Sequence, residues 1–107
     1  MSADNRLGLD LDLGQMRRNA GQAAELLKQL ANSNRLLILC SLAEGEASVT
    51  QLNEKVNLSQ SALSQHLAVL RENRLVHTRR EAQTIFYSLA DSDALPLIRT
   101  LHDIYCQ

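Results

Sequence analysis

The chain has few of the residues that mark specialised folds: among 107 residues there are two cysteines, one proline, four glycines, three aromatics and no tryptophan. Cys40 and Cys106 are too few for a secreted disulfide scaffold and wrongly spaced for a zinc ribbon or a Cys-x-x-Cys oxidoreductase. They are either core fillers or a redox pair. The aromatics are Phe86, Tyr87 and Tyr105, with none in the basic segment before Phe86, which argues against a stacking platform for single-stranded nucleic acid. There is no glycine-rich phosphate loop and no carboxylate pair with an evident pocket, so no catalysis is expected. The longest apolar run, residues 36–43, is broken by Ser41 and falls well short of the ~20 residues that cross a bilayer. The acidic N-terminus lacks the basic-then-apolar order of a signal peptide. A cytoplasmic protein, associated with the nucleoid if it binds DNA and without membrane contact, is the expectation.

An excess of charge of one sign is also missing, since 11 basic residues face 12 acidic ones. The distribution is uneven. Residues 1–13 and 90–107 each carry a net −2, whereas residues 48–89 carry +2, with Arg71, Arg74, Arg79 and Arg80 inside ten positions. Basic charge confined to the middle of a chain is more informative about a nucleic-acid partner than the total.

The 45% apolar and 21% charged content is that of an ordinary globule, and the length suits one domain. Residues 1–12 are expected to form a flexible N-terminal arm, although Leu7, Leu9, Leu11 and Leu13 alternate as in a strand, and residues 13–107 a single domain. Asp12 and Gln15 resemble a capping box, after which Met16, Ala20, Ala23, Ala24, Leu27 and Leu30 recur at helical spacing and predict a helix over 13–30. Residues 34–44 predict a second helix, apolar on most sides and stopped by Gly45. Ser48 and Gln51 form another candidate box opening a short helix over 49–56, and Ser59 can cap a helix over 60–72. Two short helices so tightly joined outline a helix-turn-helix. Residues 75–80 and 84–89, rich in Val, Thr, Ile, Phe and Tyr around Glu81, Ala82 and Gln83, predict a β-hairpin. Asp93 is the predicted cap of a last helix reaching about Cys106, with Pro96 at its third position, where a missing N–H breaks no bond. The order is that of a winged helix-turn-helix, mainly α in class.

At ~100° per residue, the helix over 60–72 sorts its side chains into two faces. Ala62, Leu63, His66, Leu67, Val69 and Leu70 share the apolar one, which makes His66 a packed residue and not a general base. Gln60, Ser61, Ser64, Gln65, Ala68, Arg71 and Glu72 share the other. Short hydroxyls and amides around an alanine suit base-edge readout: Gln65 can pair with adenine, Ser61 and Ser64 can reach a base or phosphate, and the Ala68 methyl can meet thymine. In isolation such a face is ordinarily just solvated. The preceding helix and the basic hairpin favour duplex DNA instead, with Arg79, Arg80 and Gln83 near the hairpin tip and able to reach a phosphate or the minor groove. The alternative for those arginines is a charged edge that discourages strand pairing.

The run Ser59-Gln60-Ser61-Ala62-Leu63-Ser64-Gln65-His66-Leu67 resembles the recognition helix of bacterial ArsR/SmtB-type winged-helix regulators, and the resemblance covers residues 12–106. It is most similar to the branch of HlyU, BigR, SqrR and YgaV, through Leu26-Leu27-Lys28, the 35–40 segment, the 81–87 segment and Tyr105-Cys106. The resemblance implies a homodimer paired through the first and last helices, with two recognition helices in successive major grooves of an imperfect inverted repeat. Metal-sensing relatives carry a Cys-x-Cys pair in the third helix, or an Asp-x-His with a later His-x-x-Glu in the last helix. This chain has neither, so no metal and no cofactor are expected. The resemblance also implies that Cys40 and Cys106 sense reactive sulfur species or oxidants through a disulfide or sulfur-chain bridge that loosens DNA. By residue environment alone, Cys40 lies in a nearly all-apolar helix, where an inert thiol is ordinary, and Cys106 falls at the edge of the last helix beside Arg99, His102 and Asp103. Relatives usually end the recognition helix with Gly at position 74; here Asn73 tolerates left-handed geometry better than Arg74, which predicts a cap moved by one residue. A regulator that is metal-responsive or constitutive, with bystander thiols, and a protein-interaction module are the competing readings.

Overall fold

The computed structural model describes residues 6–106. Its elements are α1 (Leu13–Leu30), α2 (Ser33–Ala43), β1 (Ala47–Ser48), α3 (Val49–Val56), α4 (Gln60–Glu72), β2 (Val76–Glu81), β3 (Thr84–Leu89) and α5 (Ala94–Tyr105). This is the mainly helical winged helix-turn-helix expected from the sequence, with one addition. The two-residue strand β1 pairs antiparallel with β3, Ala47 opposite Tyr87 and Ser48 opposite Phe86, so that the hairpin becomes a sheet of order β1-β3-β2. Two residues carry no readable period, so this strand is set by its partner and not by its own sequence.

Caps account for most boundaries. Asp12 accepts from the Gln15 N–H at 3.0 Å and opens α1. Asn32, not the residue after it, caps α2, its side-chain oxygen accepting from the N–H groups of Asn34 and Arg35, which starts the helix one residue earlier than expected. Gly45 follows α2 at φ +141°, a conformation that L side chains rarely adopt. At α3 both halves of the capping box form between Ser48 and Gln51. The expected Asp93 cap is corrected: Asp93 makes no side-chain cap bond, and the Ser92 hydroxyl accepts from the Ala94 N–H instead.

Ile38, Leu39, Leu52, Leu63, Leu67 and Leu70 are the largest fully buried side chains, so α2, α3 and α4 form the centre of the core, flanked by Leu75 and Val76 from the hairpin and Ile98 from α5. Burial of side chains of this size stabilises by about 1.5–3 kcal/mol each. α1 differs. Only Leu30 of its 18 residues is buried, while Leu13, Met16 and Leu27 stay 57%, 47% and 56% exposed. The radius of gyration, 16.6 Å, exceeds the ~13 Å of a compact chain of this length. Of the expected arm, residues 1–5 lie outside the described residues, as does Gln107; residues 6–12 are exposed and form no strand or helix.

Candidate nucleic-acid interface

The turn between α3 and α4 is fixed by its own side chains. α3 ends on Asn57 in the left-handed region (φ 47°), Asn53 Nδ2 donates to the Leu58 carbonyl, and Ser59 accepts from the Ala62 N–H at 3.1 Å to start α4. Leu63, Leu67 and Leu70 are then driven inward, and Ala62, His66 and Val69 are half-buried beside them. The opposite face is open: Gln60, Ser61, Ser64, Gln65, Ala68, Arg71 and Glu72 are all exposed. α4 therefore presents one continuous polar surface with a small residue in it, free of ion pairs among the described residues.

The end of α4 departs from expectation. Arg74, and not Asn73, takes the left-handed conformation, at φ 61° against −85° for Asn73. The Leu75 N–H donates to the Leu70 carbonyl and the Arg74 N–H to the Arg71 carbonyl, which is a Schellman closure with two buried leucines packed across it. Burying Leu75 dictates the geometry, so the residue before it must turn left-handed whatever its preference. Asn73 contributes through its side chain, Nδ2 donating to the Val69 carbonyl at 2.8 Å.

In the wing, β2 and β3 pair from Val76–Leu89 out to Glu81–Thr84, leaving a two-residue turn of Ala82 and Gln83 with Ala82 at φ 56°. The strand thus extends through Glu81, one residue beyond the expected end. Arg80 and Gln83 are exposed, and Arg80 has no ion pair among the described residues. Arg79 is placed differently. Its Nε and Nη2 donate to both oxygens of Glu46 at 2.7 Å, its Nη1 donates to Glu81 at 2.8 Å, and its guanidinium lies 4.5 Å from the centre of the Phe86 ring. Hydrogen bonding from Arg79 holds the Glu46 carboxyl below the usual carboxylate range. Sequence reasoning singled out Arg79 but missed Glu46, which lies 33 positions away and meets it only through the β1–β3 pairing.

Both cysteines are free thiols, Cys40 half-buried in α2 and Cys106 exposed at the end of α5, where its N–H donates to the His102 carbonyl at 2.8 Å. Burial, and secondarily the negative charge of an ionised Cys106, pushes the Cys40 thiol above its ordinary value. His102 Nδ1 sits 3.7 Å from Asp103. Among the described residues no group of three or more His, Cys, Asp or Glu side chains could hold a metal ion, and no helix is long and apolar enough to cross a membrane.

Residues 32–78, from the α2 cap into β2, match the family described as bacterial regulatory protein, arsR family. Over 100 residues the chain is 50% identical to the transcriptional activator HlyU of Vibrio cholerae, covering 94% of this chain and 93% of that protein. It is 45% identical over 111 residues to the biofilm growth-associated repressor of Agrobacterium fabrum, covering 99% and 95%. Among solved structures, reduced HlyU from Vibrio cholerae superimposes with a TM-score of 0.82 at 52% identity, covering 87% of this chain and 98% of that one. The repressor BigR from Xylella fastidiosa gives 0.81 at 41% identity, covering 88% and 93%.

Proposed function

Because this chain belongs to the arsR family of bacterial regulatory proteins, and is a DNA-binding transcriptional regulator and not an enzyme, we propose that it reads an inverted repeat as a homodimer and releases it when Cys40 and Cys106 are oxidised. The observation that carries the reading is the exposed polar face of α4 beside the wing. On it Gln60, Ser61, Ser64 and Gln65 are the base-edge and phosphate contacts, Arg71 is a phosphate contact at the helix end, and Arg80 and Gln83 follow from the wing. The domain that begins at residue 13 supplies all of these, and the protein acts in the cytoplasm on the nucleoid.

The dimer reading is supported by what the single chain leaves uncovered. Leu13, Met16, Ala20, Ala24 and Leu27 fall within ~80° of one another on the α1 wheel, and all are exposed. Ile104 and Tyr105 at the end of α5 are exposed too, at 57% and 77%. A stripe of this kind running the length of a helix is what a two-fold partner covers.

For the thiols, the supporting facts are that α2 packs on α5 and that the charge of Cys106 is a secondary cause of the raised Cys40 thiol. Bridging removes two protons and two electrons, which pass to a polysulfide, peroxide or disulfide effector, and ties the end of α5 to α2. The test is fluorescence anisotropy of a duplex from the gene's own upstream region, with reduced and polysulfide-treated protein at fixed salt. Tight binding lost on treatment, with Cys40→Ser and Cys106→Ser binding normally but unresponsive, is the expected result. Equal binding before and after treatment rejects polysulfide as effector, and a response retained in both variants rejects the switch.

A further inference from the structure

Arg79 is engaged from three sides within the protein itself. Its two-pronged pairing with Glu46, the bond to Glu81 and the stack on Phe86 leave it in the arrangement where an arginine fork is most restrained. One cation between two carboxylates makes the cluster net negative, so a phosphate brought to Arg79 meets like charge at hydrogen-bond distance. Arg80, opposite Ile85 and with no ion pair among the described residues, is under no such constraint.

The location of the pair matters more than its strength. Arg79 stands on the outer strand β2 and reaches over Phe86 of the middle strand to Glu46, which directly precedes β1. β1 ends on Ser48, the cap of α3, and α3 packs against α4. The pair therefore bridges the outer strand of the wing to the start of the helix that supports the recognition helix.

Resting on the DNA-binding reading above, we propose that Arg79 is a positioning residue and not a phosphate contact: with Glu46 it latches the wing at a fixed angle to α4, and Arg80 and Gln83 carry the wing's contacts to DNA. Exposed ion pairs contribute little to global stability, so loss of the latch leaves the fold intact and alters wing placement.

The two roles predict opposite signs for one substitution. If Arg79 met phosphate, Glu46→Gln would free its guanidinium, remove an anion near DNA and tighten binding. With the latch, Glu46→Gln weakens binding by about three- to tenfold, Arg79→Gln does the same, and the double variant is no worse than either single one. Arg79→Lys keeps the charge but not the fork, and should resemble Arg79→Gln. Titrations over a range of salt separate the roles again: with the latch, Glu46→Gln and Arg79→Gln change the slope of log K on log salt alike, through the same displaced wing, whereas a phosphate contact at Arg79 would lower the slope by about 0.9 in Arg79→Gln and not in Glu46→Gln. Thermal unfolding of each variant confirms folding. Tighter binding by Glu46→Gln, a slope lowered in Arg79→Gln but not in Glu46→Gln, or wild-type affinity in both would overturn the latch while leaving the DNA-binding reading in place. A wild-type chain that binds no duplex from its upstream region would remove that reading and the latch with it.

Discussion

Leu27→Ala tests whether the exposed face of α1 is an interface. Full burial of a leucine side chain is worth about 1.5–3 kcal/mol, and Leu27 is 56% exposed, so slightly more than half of that, about 1–1.5 kcal/mol, remains to be gained when a partner covers it. A two-fold axis counts the residue twice, giving about 2–3 kcal/mol, or a 30- to 140-fold rise in the dimer dissociation constant. The protomer should hardly notice, because the side chain is half in water already and alanine is at least as good a helix former. Sedimentation equilibrium over a dilution series reads the first quantity and circular dichroism the second. The variant should also bind an inverted repeat more weakly than wild type at concentrations below its new dissociation constant, since two half-sites then bind separately. A helical, folded Leu27→Ala protein with an unchanged dissociation constant would refute the reasoning and move the interface elsewhere.

Two further outcomes follow from the thiols and from the end of α4. Since Cys40 holds its proton more tightly in the fold than when unfolded, its contribution to stability is complete below the ordinary thiol range and is lost as pH rises through the raised folded value. At neutral pH iodoacetamide should therefore label exposed Cys106 well before Cys40, with Cys40 catching up only in alkali; mass spectrometry showing Cys40 labelled first at pH 7 would contradict the environment described. Replacing Arg74, at φ 61°, by glycine should raise stability by up to about 1 kcal/mol, or roughly 4 °C in Tm, as relief of the left-handed strain outweighs the added freedom of the unfolded chain. Arg74→Val should lower it, and thermal denaturation in which glycine destabilises would remove the strain argument.

Local signals made much of the architecture legible. The boundaries of α1, α3 and α4 follow from Asp12, Ser48 and Ser59, whose short side chains satisfy N–H groups that the helices cannot satisfy themselves. The two faces of α4 also fell where a ~100° wheel placed them, because leucines at helical spacing leave no other way to bury the core. The misplaced details were caps and short strands, where several residues compete. Ser92 displaces Asp93 as the acceptor for α5, and β1 forms only because β3 passes beside it.

What the sequence determined by itself was the order of the five helices and the hairpin, the inward and outward sides of α4, and the family, since these depend on spacing and on side-chain chemistry within a few turns. Tertiary structure alone decided three things. Arg74 adopts a left-handed backbone because Leu75 must enter the core, against the preference of its own side chain. Cys40 is held above its ordinary value by burial and, secondarily, by the charge of Cys106 from the end of α5, which packs on α2. Arg79 is joined to Glu46 and not left free at the wing, because a two-residue strand brings that carboxylate to the far side of Phe86. The last two join residues that no local period relates, and meetings of that kind exist only once the chain has closed on itself.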